Sequence, residues 1–188
     1  MVRLLDRLAA VEPSRGAHVW IPDTNARLAP STMLRQGFPD ADVHVVASLY
    51  GEDAHRRGWL RLDRTLTPAE HSAVVDTATS WSRNNRSLQE VVTEFGPPSV
   101  TFGSTEPDRP KTVSYATSDR AAAVVTFHLG FAQPETDTGS GKGPWTGPAL
   151  LTVRVHDDFF GGWEITPVGE SQFGCALMLR AVDHVVRA

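Results

Sequence analysis

At Pro97-Pro98 the hydrophobic period of the chain changes, and this change limits the fold more than any other feature. Upstream lie two helix starts of the same design. Thr67-Pro68-Ala69-Glu70 offers a hydroxyl cap, a proline at the first helical position and a carboxylate that can return a bond to the cap. Ser87-Leu88-Gln89-Glu90 repeats the pattern without the proline. Val74, Val75, Ala78 and Trp81 then form an apolar stripe, which predicts a helix over 68–83. Leu88, Val91, Val92 and Phe95 form the next. Gly96 can take the left-handed conformation that ends a helix, and the two prolines forbid continuation.

Downstream the period is two. Val125, Phe127, Leu129 and Phe131 share one face of a strand over 122–131, with Thr126 and His128 on the other. Strands are also expected over 99–102, 112–117, 150–156 and 163–168. A long Gly/Pro-rich loop is expected over 132–148. Cys175, Met178, Leu179, Val182, Val185 and Val186 predict a closing helix over 173–187.

The region before Thr67 is less regular. Leu4, Leu5, Leu8 and Val11 predict a short helix over 2–12. Residues 13–39 read as an irregular N-terminal arm, long for a connection without its own structure. Two strands are expected over 43–50 and 58–66, joined by a hairpin loop over 51–57. Helices and strands that occur in separate runs indicate an α+β fold. The expectation is a single domain over 1–188. It has an antiparallel sheet of about five to seven strands with helices packed on one face, capped by the C-terminal helix.

Composition narrows the function classes. The chain has 188 residues, a net charge of −4 and a pI near 5.9. A duplex-binding domain shows a basic face and a high pI, so nucleic acid is not the expected partner. His55-Arg56-Arg57, with Arg61 and Arg64, is the densest basic cluster, and Glu52, Asp53 and Asp63 interrupt it; it reads as a solvated hairpin tip. No apolar run approaches the length of a membrane span. The single cysteine, Cys175, precludes an internal disulfide and sits in an apolar helical stripe, as a buried thiol does. Asp6 and Arg7 interrupt the apolar stretch a signal peptide requires, so a cytoplasmic location is expected.

Motifs for catalysis are weak. Thr138-Gly139-Ser140-Gly141-Lys142-Gly143 superficially suggests a phosphate-binding loop. Thr136 stands where its first glycine belongs, and Gly143 stands where its metal-binding hydroxyl belongs. No zinc-protease, paired-cysteine or nucleophile-elbow spacing occurs. No cofactor is expected. One constellation keeps an enzymatic alternative open. If Phe127 opposes Val155, His128 lies near Arg154 and diagonal to His156, and His128, His156 and Asp158 could converge on a metal. Ser87–Phe102, a capped helix that stops at Phe95-Gly96-Pro97-Pro98 before a strand, resembles the helix–loop–strand unit of the small-lipoprotein and β-lactamase-inhibitor superfamily. The lipoproteins' signal peptide and lipidated cysteine are absent, and no family is assigned.

The favoured expectation is a non-catalytic protein-binding module of the cytosol with one specific protein partner. Its form would be an immunity-type inhibitor of a cognate bacterial toxin or effector, by analogy of composition. Trp145 lies between Gly143-Pro144 and Gly147-Pro148, and an aromatic presented on a loop is a common interface anchor. The expected contact residues are Trp145, Asp157 and Asp158, with Trp20 in the N-terminal arm. The alternatives are a small-ligand or metal-dependent enzyme with a pocket near His128 and His156, and a structural homo-oligomer subunit.

Overall fold

A computed structural model describes residues 43–131, 147–155 and 162–171. The sequence readings over 2–12, 13–39 and 173–187 lie outside these residues. Three helices, α1 (Val43–Arg56), α2 (Pro68–Trp81) and α3 (Leu88–Phe95), precede five strands. The strands are β1 (Val100–Gly103), β2 (Lys111–Tyr115), β3 (Val125–Gly130), β4 (Ala149–Arg154) and β5 (Trp163–Ile165). They form one sheet in the order β1-β2-β3-β4-β5, with every neighbouring pair antiparallel. The fold is α+β, as the change of period at Pro97-Pro98 implies.

Both capping boxes form. Thr67 accepts the Glu70 amide and Ser87 accepts the Glu90 amide, while each glutamate takes the N–H of its own cap residue. Gly96 ends α3 at a φ of 76°, a value open to glycine and strained for other residues. Its carbonyl accepts the Tyr115 hydroxyl at 2.9 Å, which ties the helix end to β2. Arg64 reaches the same place and donates to the carbonyls of Phe95 and Pro97 while pairing with Glu70.

α2 and α3 pack on one face of the sheet. Val74, Ala78, Val91 and Phe95 meet Val113, Tyr115, Val125, Phe127, Leu129, Leu150 and Val153 in a single core. Trp81, Phe95 and Phe127 form its aromatic centre, with ring centroids of Phe95 5.1 Å from Trp81 and 5.0 Å from Phe127. The Trp81–Phe95 pair is edge-to-face and the Phe95–Phe127 pair tilted, and aromatic contacts of this kind add to the stabilisation from burial alone.

Residues 43–50 and 51–57 are not a strand and a hairpin loop. Residues 43–56 form one helix, α1, whose Gly51 and Glu52 meet Phe102 and Arg154 on the face of the sheet opposite α2 and α3, so helices cover both faces and not one. A short apolar run with β-branched residues does not separate a strand from a buried helix by its period. The deciding signal is a stripe of small residues. Ala47, Gly51 and Ala54 recur at helical spacing and are buried. A Cβ at Gly51 would collide with the Phe102 ring, so only glycine lets α1 approach β1 this closely. The expected strand over 58–66 is instead irregular chain that runs beside the sheet. Its Asp63 amide donates to the Ser99 carbonyl, and Leu66 makes an isolated parallel bridge to Thr117.

The assumed register between β3 and β4 is also corrected. Phe127 opposes Val153 rather than Val155, and His128 opposes Thr152. A bulge between His128 and Leu129 then brings Leu150 opposite Leu129. The extra residue turns Leu150 into the apolar core, which strict alternation along β4 would have placed on the other face. β5 is shorter than expected. Beyond Ile165, the Thr166 hydroxyl donates to the carbonyl of Leu150 at 2.6 Å, and a helical turn over 167–171 follows. Among the described residues, no helix is long and apolar enough to cross a membrane.

Candidate functional site

Two places bring chemistry-bearing residues together: the sheet face under α1, and the end of the sheet where β3 passes to β4.

Under α1 the sheet is polar. Alternation in β2, β3 and β4 sends Thr112, Ser114, Thr126, His128, Thr152 and Arg154 to this side, and all six are buried. They are occupied with one another. The Ser114 and Thr126 hydroxyls lie 3.0 Å apart, and the Thr112 hydroxyl lies 3.0 Å from His128 Nδ1. Thr152 donates to the Glu164 carbonyl at 2.8 Å. Arg154 pairs with Glu52 of α1, with Nη1 against Oε2 and Nη2 3.4 Å from Oε1. Trp163 of β5 stacks on His128 with centroids 5.2 Å apart, and the Arg154 guanidinium lies 5.7 Å from the same indole.

This arrangement pins α1 in place and fixes its register on the sheet. A buried ion pair contributes little net stability against an apolar pair of equal volume, but removing one partner is costly. His128, expected as a metal ligand, is held between Thr112 and Trp163. Its expected companions, His156 and Asp158, lie outside the described residues. Among the described residues, no group of three or more His, Cys, Asp or Glu is placed to hold a metal ion.

The second place is built on a ladder pair. Gly130 at the end of β3 opposes Ala149 at the start of β4, so the segment between them leaves and re-enters the sheet at adjacent positions. Trp145 belongs to this segment and lies outside the described residues. Phe131, the first residue of the segment, is half-exposed. Gly147, at its return, lies beside the β1–β2 hairpin: a Cβ there would be 4.0 Å from the Asp108 Cα. The hairpin tip carries exposed Glu106, Asp108 and Arg109. It closes over Lys111, whose ammonium donates to the Glu106 carbonyl. Burial pushes the Lys111 pKa down, while the charges of Asp108 and Glu106 oppose the shift. The Ser104 hydroxyl accepts the Glu106 amide at 3.1 Å and Arg109 pairs with Glu106 at 3.4 Å, so the acidic tip is internally braced.

Asp157 and Asp158 also lie outside the described residues, in the connection between β4 and β5. That connection leaves at Val155 and returns at Gly162, where the Val155 amide donates to the Gly162 carbonyl at 3.0 Å. Its base is at the opposite end of β4 from the Trp145 segment, roughly 20 Å away at 3.4 Å per residue. Trp20 lies outside the described residues as well. Sequence reasoning missed the acidic hairpin tip, Phe131 and the Glu52–Arg154 pair. The first two carry a usable signal: Glu106-Pro107-Asp108 is turn sequence between two strands, and Phe131 ends an apolar face just where the Gly/Pro-rich sequence begins. The pair carries none while residues 43–50 are taken as a strand.

The chain matches no protein-family model, no curated protein and no solved structure.

Proposed function

We propose that this chain is a protein-binding module that holds one specific partner through the β3–β4 end of its sheet, in the manner of an immunity-type inhibitor of a bacterial toxin or effector. One observation carries the reading. A long segment rich in Gly and Pro, bearing Trp145, is rooted on the paired residues Gly130 and Ala149 beside a braced acidic hairpin tip. Binding residues are commonly carried by loops that a rigid scaffold positions. Half-exposed Phe131 at the root supplies apolar area, and the hairpin tip beside Gly147 carries the charges of Glu106 and Asp108. An aromatic anchor with a charged rim is the ordinary composition of a protein interface.

The chain's net charge of −4 favours a partner with a basic surface, such as a toxin whose site handles nucleic acid or phosphate. Charges of opposite sign speed association and matter less for the lifetime of the complex. Asp157 and Asp158, rooted at the far end of β4, would belong to a second contact if they bind at all. The polar layer under α1 supports a structural role for His128 in place of a catalytic one, because its contacts with Thr112 and Trp163 are those of a packed core residue.

The test is a tagged pull-down from the native host with mass spectrometry, repeated with Trp145→Ala. The proposal expects one stoichiometric protein partner and a loss of about 2 kcal/mol or more in affinity in the variant. A captured partner whose affinity is unchanged by Trp145→Ala would remove this end from the interface. Bound metal at stoichiometry, lost in His128→Ala, would instead favour the enzymatic alternative at His128, His156 and Asp158.

A further inference from the structure

We propose that His55 makes α1 an acid-releasable cover: protonation of its imidazole detaches the C-terminal end of α1 from the 116–124 turn and uncovers the polar face of the sheet. The cover itself is defined by three contacts along α1. Gly51 sits against the Phe102 ring, Glu52 holds Arg154, and the C-terminal end rests on the turn between β2 and β3. At that end the His55 ring faces the Asp119 carbonyl, and Gly58 lies directly against the Arg120 guanidinium.

His55 is buried, 5 % exposed, and its Nε2 is shut away from solvent with no hydrogen-bond partner among the described residues. A neutral imidazole tolerates this, because its bare nitrogen is an acceptor and its other nitrogen can donate to the Asp119 carbonyl. An imidazolium does not: both nitrogens then carry protons, and the second N–H would be buried without an acceptor. Among the described residues, the charged groups acting on the ring are Asp119 and Arg120, in opposite senses. Glu52, one turn back on α1, is held by Arg154. Desolvation is the largest influence and lowers the His55 pKa below its ordinary value of 6.5, with Arg120 adding to it. The sign follows from linkage. A histidine whose folded pKa is depressed contributes stability that is fully present above the unfolded value near 6.5 and is lost as pH falls from there through the lower folded value. The simplest relief is outward movement of the last turn of α1, which hydrates the ring without disturbing the core under α2 and α3.

The device is separable from the acid sensitivity of the other helices. Glu70 and Glu90, the capping carboxylates of α2 and α3, are held below their ordinary value of 4.5, so pH 5.0 lies above their titration. Hydrogen exchange of the full chain at pH 7.5 and pH 5.0, corrected for intrinsic rates, therefore reads α1 against α2 as an internal control. The expected result is that protection in α1 falls by about threefold or more relative to α2. In His55→Gln, protection in α1 should be the same at both pH values. Unchanged α1 protection in the natural sequence overturns the proposal, as does an equal fall in α2 or a fall that persists in His55→Gln. If that variant does not fold, nuclear magnetic resonance on the natural sequence decides the matter. The His55 ring and the α1 amides should titrate together, and α1 amides that do not follow the ring contradict the cover.

Discussion

Glu52 and Arg154 stand 102 positions apart and meet in the interior, 4 % and 1 % exposed. At the scale of single residues this pair settles where α1 lies. Glu52→Ala should cost about 3 kcal/mol, because a buried guanidinium loses its carboxylate. Replacing both with methionine should recover most of that loss. Urea unfolding of the two variants checks both statements; equal losses would mean that the pair is not what holds α1. Gly51 makes a sharper point. Gly51→Val drives a side chain into the Phe102 ring and should destabilise the protein by about 2 kcal/mol through overpacking. The same substitution at exposed Gly58 meets a flexible arginine instead of a core ring, though its φ of 70° adds backbone strain. Comparing the two separates a packing effect from a conformational one.

Elements differ in how openly the sequence declares them. α2 and α3 are legible residue by residue because their signals are local: a cap, a returning carboxylate, a stripe, a stop. The five strands are legible because their alternation is local as well. α1 is not, because Val43–Tyr50 satisfies a strand as readily as a helix until Phe102 is known to lie against Gly51. The bulge at His128/Leu129 is hidden for a similar reason, since nothing in either strand alone requires an extra residue there. The sequence shows a Trp-bearing segment rich in Gly and Pro but not its neighbour, because the proximity of Gly147 to Asp108 is a tertiary fact. The capping boxes also carry a pH dependence. Hydrogen bonds from the cap residues hold the Glu70 and Glu90 pKa values down, so their contribution is present above pH 4.5 and lost as pH falls through it. In Glu70→Gln/Glu90→Gln, the loss of stability between pH 6 and pH 3.5 should be smaller than in the natural sequence. An unchanged loss would mean that other carboxylates dominate acid unfolding.

In the whole molecule one face of the sheet carries the apolar core and the other a polar layer that locates α1, while at the β3–β4 end Gly147 lies beside the hairpin tip that bears Glu106 and Asp108. If an acidic rim steers the partner, Glu106→Lys/Asp108→Lys should slow association by about tenfold at low salt while leaving dissociation nearly unchanged. Raising ionic strength toward 1 M should shrink that difference, since charges are then screened within about 3 Å. Stopped-flow association at two salt concentrations measures both effects. Equal rates for the two proteins at low salt would take the hairpin tip out of the encounter.

The most direct measurement is a hydrogen-exchange footprint of the chain alone and in complex with the captured partner. New protection is expected over 104–110 and 131–148, with α2 and α3 unchanged. Protection confined to other surfaces, with those two segments exchanging as in the free chain, would contradict it.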